Sequence, residues 1–173
     1  MTQPFSSSLA AKHSLENWSS TATTPLARWE EDMEYAIGAV LALVVGAGAT
    51  AAGLDRDRAF YPTVLIVIAS YYDLFAVLAG SAPVLGLETV ALAVFAIAAI
   101  VGFRTSPWIV VGALASHAIF DVFHGGLIAN PGVPAWWPAF CLTYDLAAAG
   151  YLAWRILRTG AAQASSATAR QTA

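Results

Sequence analysis

The chain has 173 residues, 58% hydrophobic and only 11% charged, with a mean hydropathy of +0.65. Soluble domains carry about 25% charged residues, so too little charge is present to cover the surface of an ordinary soluble domain, and the net charge of -3 gives no footing for a nucleic-acid partner. Cys141 is the sole cysteine, which excludes an intrachain disulfide and a cysteine-built zinc cage.

In chain order, residues 1–28 are rich in Ser and Thr and read as a disordered extracytoplasmic tail. Residues 1–31 show no apolar run of the signal-peptide kind, so the first span is expected to direct insertion. A membrane-crossing helix needs about 20 mostly apolar residues. Five stretches meet that length and predict an all-α integral membrane bundle within a domain at 29–158: 33–53, 60–80, 84–103, 106–124 and 138–157. Gly38, Ala42 and Gly46 form a small-residue stripe in the first, which is either a close-packing face or plain alanine and glycine abundance. Pro62, Pro107 and Pro138 fall in first turns, where a missing N–H does no harm. Gly80 is expected to stop the second span, and Gly125-Gly126 the fourth. Trp29, Trp108, Trp136, Trp137 and Trp154 lie at span ends, as an aromatic belt places them. The loop 125–137 is apolar, with Asn130-Pro131-Gly132 and Trp136-Trp137; it reads as a lid or as an interfacial turn anchored by tryptophan. Residues 159–173 read as a disordered cytoplasmic tail.

Basic residues give an orientation. Arg56, Arg58, Arg104, Arg155, Arg158 and Arg170 fall on one side of the bundle, and only Lys12 and Arg28 on the other. The excess predicts the N-terminus outside and the C-terminus in the cytoplasm.

Ionisable groups in spans two to five then share one depth. Asp73, Glu88, His117, Asp121, His124 and Asp145 all fall in the outer half, within about 10 Å of the span ends for a rise of 1.5 Å per residue. His117, Asp121 and His124 lie at i, i+4 and i+7, within roughly a 60° arc of one helix face. Such groups are expensive in a membrane and mark a site by default. Imidazole and carboxylate suit a divalent transition metal, iron, zinc, copper or manganese. On this reading His117, Asp121, His124, Asp73, Glu88 and Asp145 are the candidate ligands, Asp121 ligating or orienting an imidazole. Cys141, one turn before Asp145, is an added soft donor or plain packing. The chemistry would be metal-assisted hydrolysis or oxidation of a lipid-soluble substrate, with Asp73 or Asp145 as base. Two other readings stand beside it: a transporter or proton relay, and a buried polar network that only pins the helices together. A homo-oligomer would supply a path that one chain lacks, since the inner halves of the spans carry no ionisable group.

The segments Arg58-Ala59-Phe60-Tyr61-Pro62-Thr63-Val64-Leu65-Ile66-Val67-Ile68-Ala69-Ser70-Tyr71-Tyr72 and Asn130-Pro131-Gly132-Val133-Pro134-Ala135-Trp136-Trp137-Pro138-Ala139-Phe140-Cys141 resemble a group of small bacterial multi-pass membrane proteins of unknown function. That resemblance implies a multi-pass protein of the bacterial inner membrane and supplies no activity. The His/Asp layer is also loosely similar to membrane-embedded zinc hydrolases of the ceramidase and adiponectin-receptor kind, which have seven spans and a fuller motif set.

Overall fold

Long apolar runs satisfy their backbone N–H and C=O groups most simply within a helix, and those among the described residues do so. A computed structural model describes residues 25–171 as five helices: α1 (Pro25–Ala52), α2 (Phe60–Leu78), α3 (Ala82–Arg104), α4 (Pro107–Leu127) and α5 (Trp137–Gln171). The expected tail falls outside the described residues up to position 24, as does the Trp29 side chain. Four helical stretches are long and apolar enough to cross a membrane: Met33–Ala52, Phe60–Leu78, Ala82–Arg104 and Pro107–Leu127.

Two helices end in Schellman motifs, in which a left-handed glycine lets the chain turn back on its last carbonyls. Gly53 (φ 76°) closes α1 through Gly53 N–H to Thr50 O and Leu54 N–H to Ala49 O. Gly80 (φ 67°) closes α2 through Gly80 N–H to Val77 O and Ser81 N–H to Ala76 O. The stop expected at Gly125-Gly126 does not occur. α4 runs on to Leu127, and its last bond is Ile128 N–H to His124 O at 2.7 Å. Neither glycine takes a left-handed conformation, so the i to i−4 ladder continues through both. α5 likewise continues through 159–171, where the polar composition suggested disorder. The same stretch is rich in alanine, the strongest helix former.

From Glu34 onward the chain forms one compact unit. α4 packs between α3 and α5, and α2 packs on α3 and α4. Leu65, Ala69, Phe95, Ala99, Val110, Leu114 and Leu152 fill the half of the bundle nearest the 53–59 turn. α1 leans on α5 through its small-residue stripe, which settles that stripe as a packing face. Gly38 lies against the Phe140 carbonyl and the Thr143 hydroxyl, with no space for a Cβ. Ala42 is buried, and a Cβ on Gly46 would sit 3.0 Å from the Tyr151 ring. Of the tryptophans, Trp108, Trp136 and Trp154 are exposed as a belt requires, but Trp137 is buried. It packs edge-on to Phe75 (5.0 Å between centroids) and against Tyr71 (4.9 Å), so it belongs to the core.

Candidate metal centre

The helical face that carries His117, Asp121 and His124 points inward, and four helices converge on it. Glu88, His117, Asp121, His124 and Asp145 are all buried to 2% exposure or less. Burying five ionisable side chains together is unfavourable unless each is paired or bound, so their partners define the site.

His117 stands ten residues before the end of α4, about 15 Å down the helix. Its Nδ1 lies 2.7 Å from Asp145 Oδ2 on α5 and 3.4 Å from Asp121 Oδ2 one turn along α4. Asp121 also accepts from the Tyr72 hydroxyl, 2.7 Å from its Oδ1. Phe95 of α3 closes the remaining side, its ring edge-on to His117 at 4.6 Å. His117, Asp121 and Asp145 can each offer one ligand atom, all within 4.8 Å of one another, and form a group that could hold a metal ion.

Two turns beyond His117, nearer the 128–136 loop, lies a second pair. His124 Nε2 is 2.9 Å from Glu88 Oε1 of α3. The Tyr72 ring joins the two pairs: its hydroxyl serves Asp121, and its face stacks on His124 at 3.9 Å and 23°. Asn130 of the loop completes this level, donating from Nδ2 to Glu88 Oε1 (2.8 Å) and to the Tyr72 carbonyl (3.1 Å). Its own Oδ1 accepts from Gly132 N–H at 3.1 Å, and Gly132 is pressed against the Phe75 carbonyl with no space for a side chain. The loop is therefore fastened to α2 and α3. Sequence reasoning missed Asn130 as a site residue; the available signal was a lone amide in an apolar loop, before a Pro-Gly turn.

Four expected donors stand outside the group of His117, Asp121 and Asp145: His124 and Glu88, which pair with each other, and Asp73 and Cys141. Asp73 is half-buried in the α2–α3 seam, where Thr89 donates to its Oδ1 at 2.6 Å, and it is not in the converging group. Its neighbour Tyr72 takes the inward direction, and a 100° step around the helix turns Asp73 toward α3. Cys141 is buried among Ile68, Tyr72, Phe75 and Trp137, as packing requires.

Pairing within the cluster is incomplete. Asp121 Oδ2, Asp145 Oδ1 and Glu88 Oε2 are buried with no hydrogen-bond partner, as is His117 Nε2 on the ring edge away from the Nδ1 that faces the two aspartates. Such atoms are rare in folded proteins and call for a specific explanation, an ion among them. The donor set fits one. Ligands about 2.0–2.2 Å from a tetrahedral ion stand roughly 3.4 Å apart. The His117–Asp121 separation already matches that spacing at 3.4 Å, while the His117–Asp145 contact of 2.7 Å is a hydrogen bond that a bound ion would open by less than an ångström. No protein-family model, characterised protein or solved structure matches the chain.

Proposed function

We propose that this is a five-span protein of the bacterial inner membrane that holds one divalent transition metal at His117, Asp121 and Asp145, N-terminus outside and C-terminus in the cytoplasm. The fifth span is the first part of α5, up to Leu157, and the six-to-two asymmetry of basic residues supports the orientation. The observation that carries the metal reading is the pair of carboxylates on one imidazole, with an unpartnered buried oxygen on each. Two buried carboxylates side by side repel, and a doubly charged cation satisfies both and takes the place of the proton that His117 and Asp145 share. Tyr72 holds Asp121 in position, and the His124–Glu88–Asn130 layer holds Tyr72.

We further propose that the ion serves a reaction on a lipid-soluble substrate. A bound divalent ion supplies Lewis-acid polarisation or an activated water. An apolar groove of about 560 Å³ runs between α1, α2 and α5, lined by Leu41, Val67, Ile68 and Phe140. Cys141 and Tyr144, one turn and one residue before Asp145, form part of its wall, so a lipid-borne molecule there comes close to the site. A proton conduit through a single chain is less well supported, because the half of the bundle below His117 is filled by Leu65, Leu114, Ala99 and Val110.

Elemental analysis of detergent-purified protein beside His117→Ala and Asp145→Ala variants tests the reading. About one equivalent of iron, zinc, copper or manganese in the wild type, lost in both variants, is the expected outcome. Metal-free wild type after growth with supplemented metals would sink it and leave the polar cluster as helix-to-helix pinning.

A further inference from the structure

The opposite end of the bundle holds a second polar site that the metal chemistry does not use. A cavity of about 510 Å³ opens between the 53–59 turn, the end of α3, the start of α4 and the later part of α5. Arg56, Arg58 and Arg155 line it, with Asp55 as the one carboxylate in its wall. Asp55 is engaged through one oxygen: its Oδ2 pairs with Arg155 at 3.0 Å and accepts from the Thr50 hydroxyl at 2.6 Å, while its Oδ1 is buried without a partner. Asp57 is turned toward the opposite groove, where its Oδ1 accepts from Ala59 N–H at 3.0 Å. Among the described residues neither Arg56 nor Arg58 has a carboxylate within salt-bridge distance.

Three further observations distinguish this from a plain basic loop. The Tyr61 side chain borders the cavity, and its hydroxyl is buried without a hydrogen-bond partner. Arg58 is the only non-glycine residue with positive φ among the described residues, at 65°. Backbone strain of this kind gathers at binding sites. Arg56 folds back over Gly53, where a Cβ would stand 2.9 Å from the guanidinium Nε. The turn thus places Arg56 and Arg58, both exposed, at the cavity, and the floor is apolar, made by Val110, Leu152 and Ile156.

We propose that this cavity binds a phosphate group, with Arg56 and Arg58 meeting its charge and the Tyr61 hydroxyl donating to it. Planar guanidinium forks match phosphate oxygens. A lipid headgroup and free phosphate present the same oxygens. The apolar floor, and the level of the cavity at the helix ends, favour an anionic phospholipid.

The test uses the full chain in detergent, stripped of lipid, mixed with micelles containing phosphatidylglycerol or phosphatidylcholine, with bound lipid read by native mass spectrometry. Wild type is expected to retain phosphatidylglycerol over phosphatidylcholine. Arg56→Gln/Arg58→Gln should lower retention about 30-fold. Tyr61→Phe leaves the charge and topology signals intact and should lower it about tenfold. Arg104→Gln, a basic residue at the same end but outside the cavity wall, should bind as wild type. If inorganic phosphate alone binds with the same variant pattern and excess of it displaces the lipid, the site stands and its source is soluble. Equal loss in Arg104→Gln would reduce the effect to general surface charge and overturn the proposal, as would wild-type binding by both the Tyr61 and the double arginine variants.

Discussion

Tyr72 and His124 stack face to face, centroids 3.9 Å apart, while the same tyrosine donates its hydroxyl to Asp121 at 2.7 Å. One side chain of α2 thereby ties both His–carboxylate pairs of α4 into a single unit. Tyr72→Phe keeps the stack and removes only the donor, leaving Asp121 Oδ1 unpartnered. Losing a partner of a buried polar group costs about 1–3 kcal/mol, and losing a residue that orients a metal ligand weakens metal binding about 10–100-fold. Competition with a chromophoric chelator should report the second effect, and thermal unfolding in detergent the first.

Replacing the whole ligand set by apolar residues should act oppositely on stability. Removing one member of a buried pair costs about 3–5 kcal/mol, whereas replacing all members with well-packed apolar residues is often neutral or stabilising by about 1–4 kcal/mol. His117→Ala should therefore lower the unfolding midpoint. The His117→Leu/Asp121→Leu/Asp145→Leu protein should unfold at or above the metal-free wild type and bind no metal. A triple variant that fails to fold would mean the cluster is needed to assemble the helices.

Gly132→Ala places a methyl group into the Phe75 carbonyl. The loop must then lift, and Asn130 loses its bonds to Glu88 and to the Tyr72 carbonyl. Hydrogen exchange should accelerate across 128–134 and at the end of α2, with little change in α5. Unchanged protection would show that the loop is not fastened through Gly132.

Gly38→Leu should part α1 from α5, because the glycine sits on the Phe140 carbonyl and the Thr143 hydroxyl. Overpacking of this kind costs about 1–3 kcal/mol or more. A disulfide cross-link engineered between α1 and α5 should form in the parent and fail in the variant, while metal content, set by α4 and α5, stays the same.

Much of the site was legible because helical periodicity is local. The i, i+4, i+7 placement of His117, Asp121 and His124 fixes their shared direction without any knowledge of neighbours. Asp145 and Glu88 could be given a depth in the same way. Which groups pair could not be read, since that depends on how four helices rotate against one another. The Tyr71-Tyr72-Asp73 run shows the limit: only packing against α4 decides that Tyr72 faces the cluster and Asp73 faces Thr89. Gly125-Gly126 misled for a related reason, because glycine permits a helix end without demanding one.

The apolar filling of Leu65, Ala99, Val110 and Leu114 separates the His–carboxylate cluster from the arginine cavity. A low-dielectric layer without charge is where a transmembrane voltage falls most steeply, and each elementary charge crossing the whole membrane is worth about 2.3 kcal/mol per 100 mV. Both polar sites lie beside this insulating layer, not within it. A divalent ion that reached His117, ten residues from either end of α4, from the loop side would cross up to about half the field, about 2.3 kcal/mol per 100 mV for its two charges, so its occupancy should respond to membrane voltage. α2 and α5 each carry residues of both sites, Tyr61 with Tyr72 and Asp145 with Arg155.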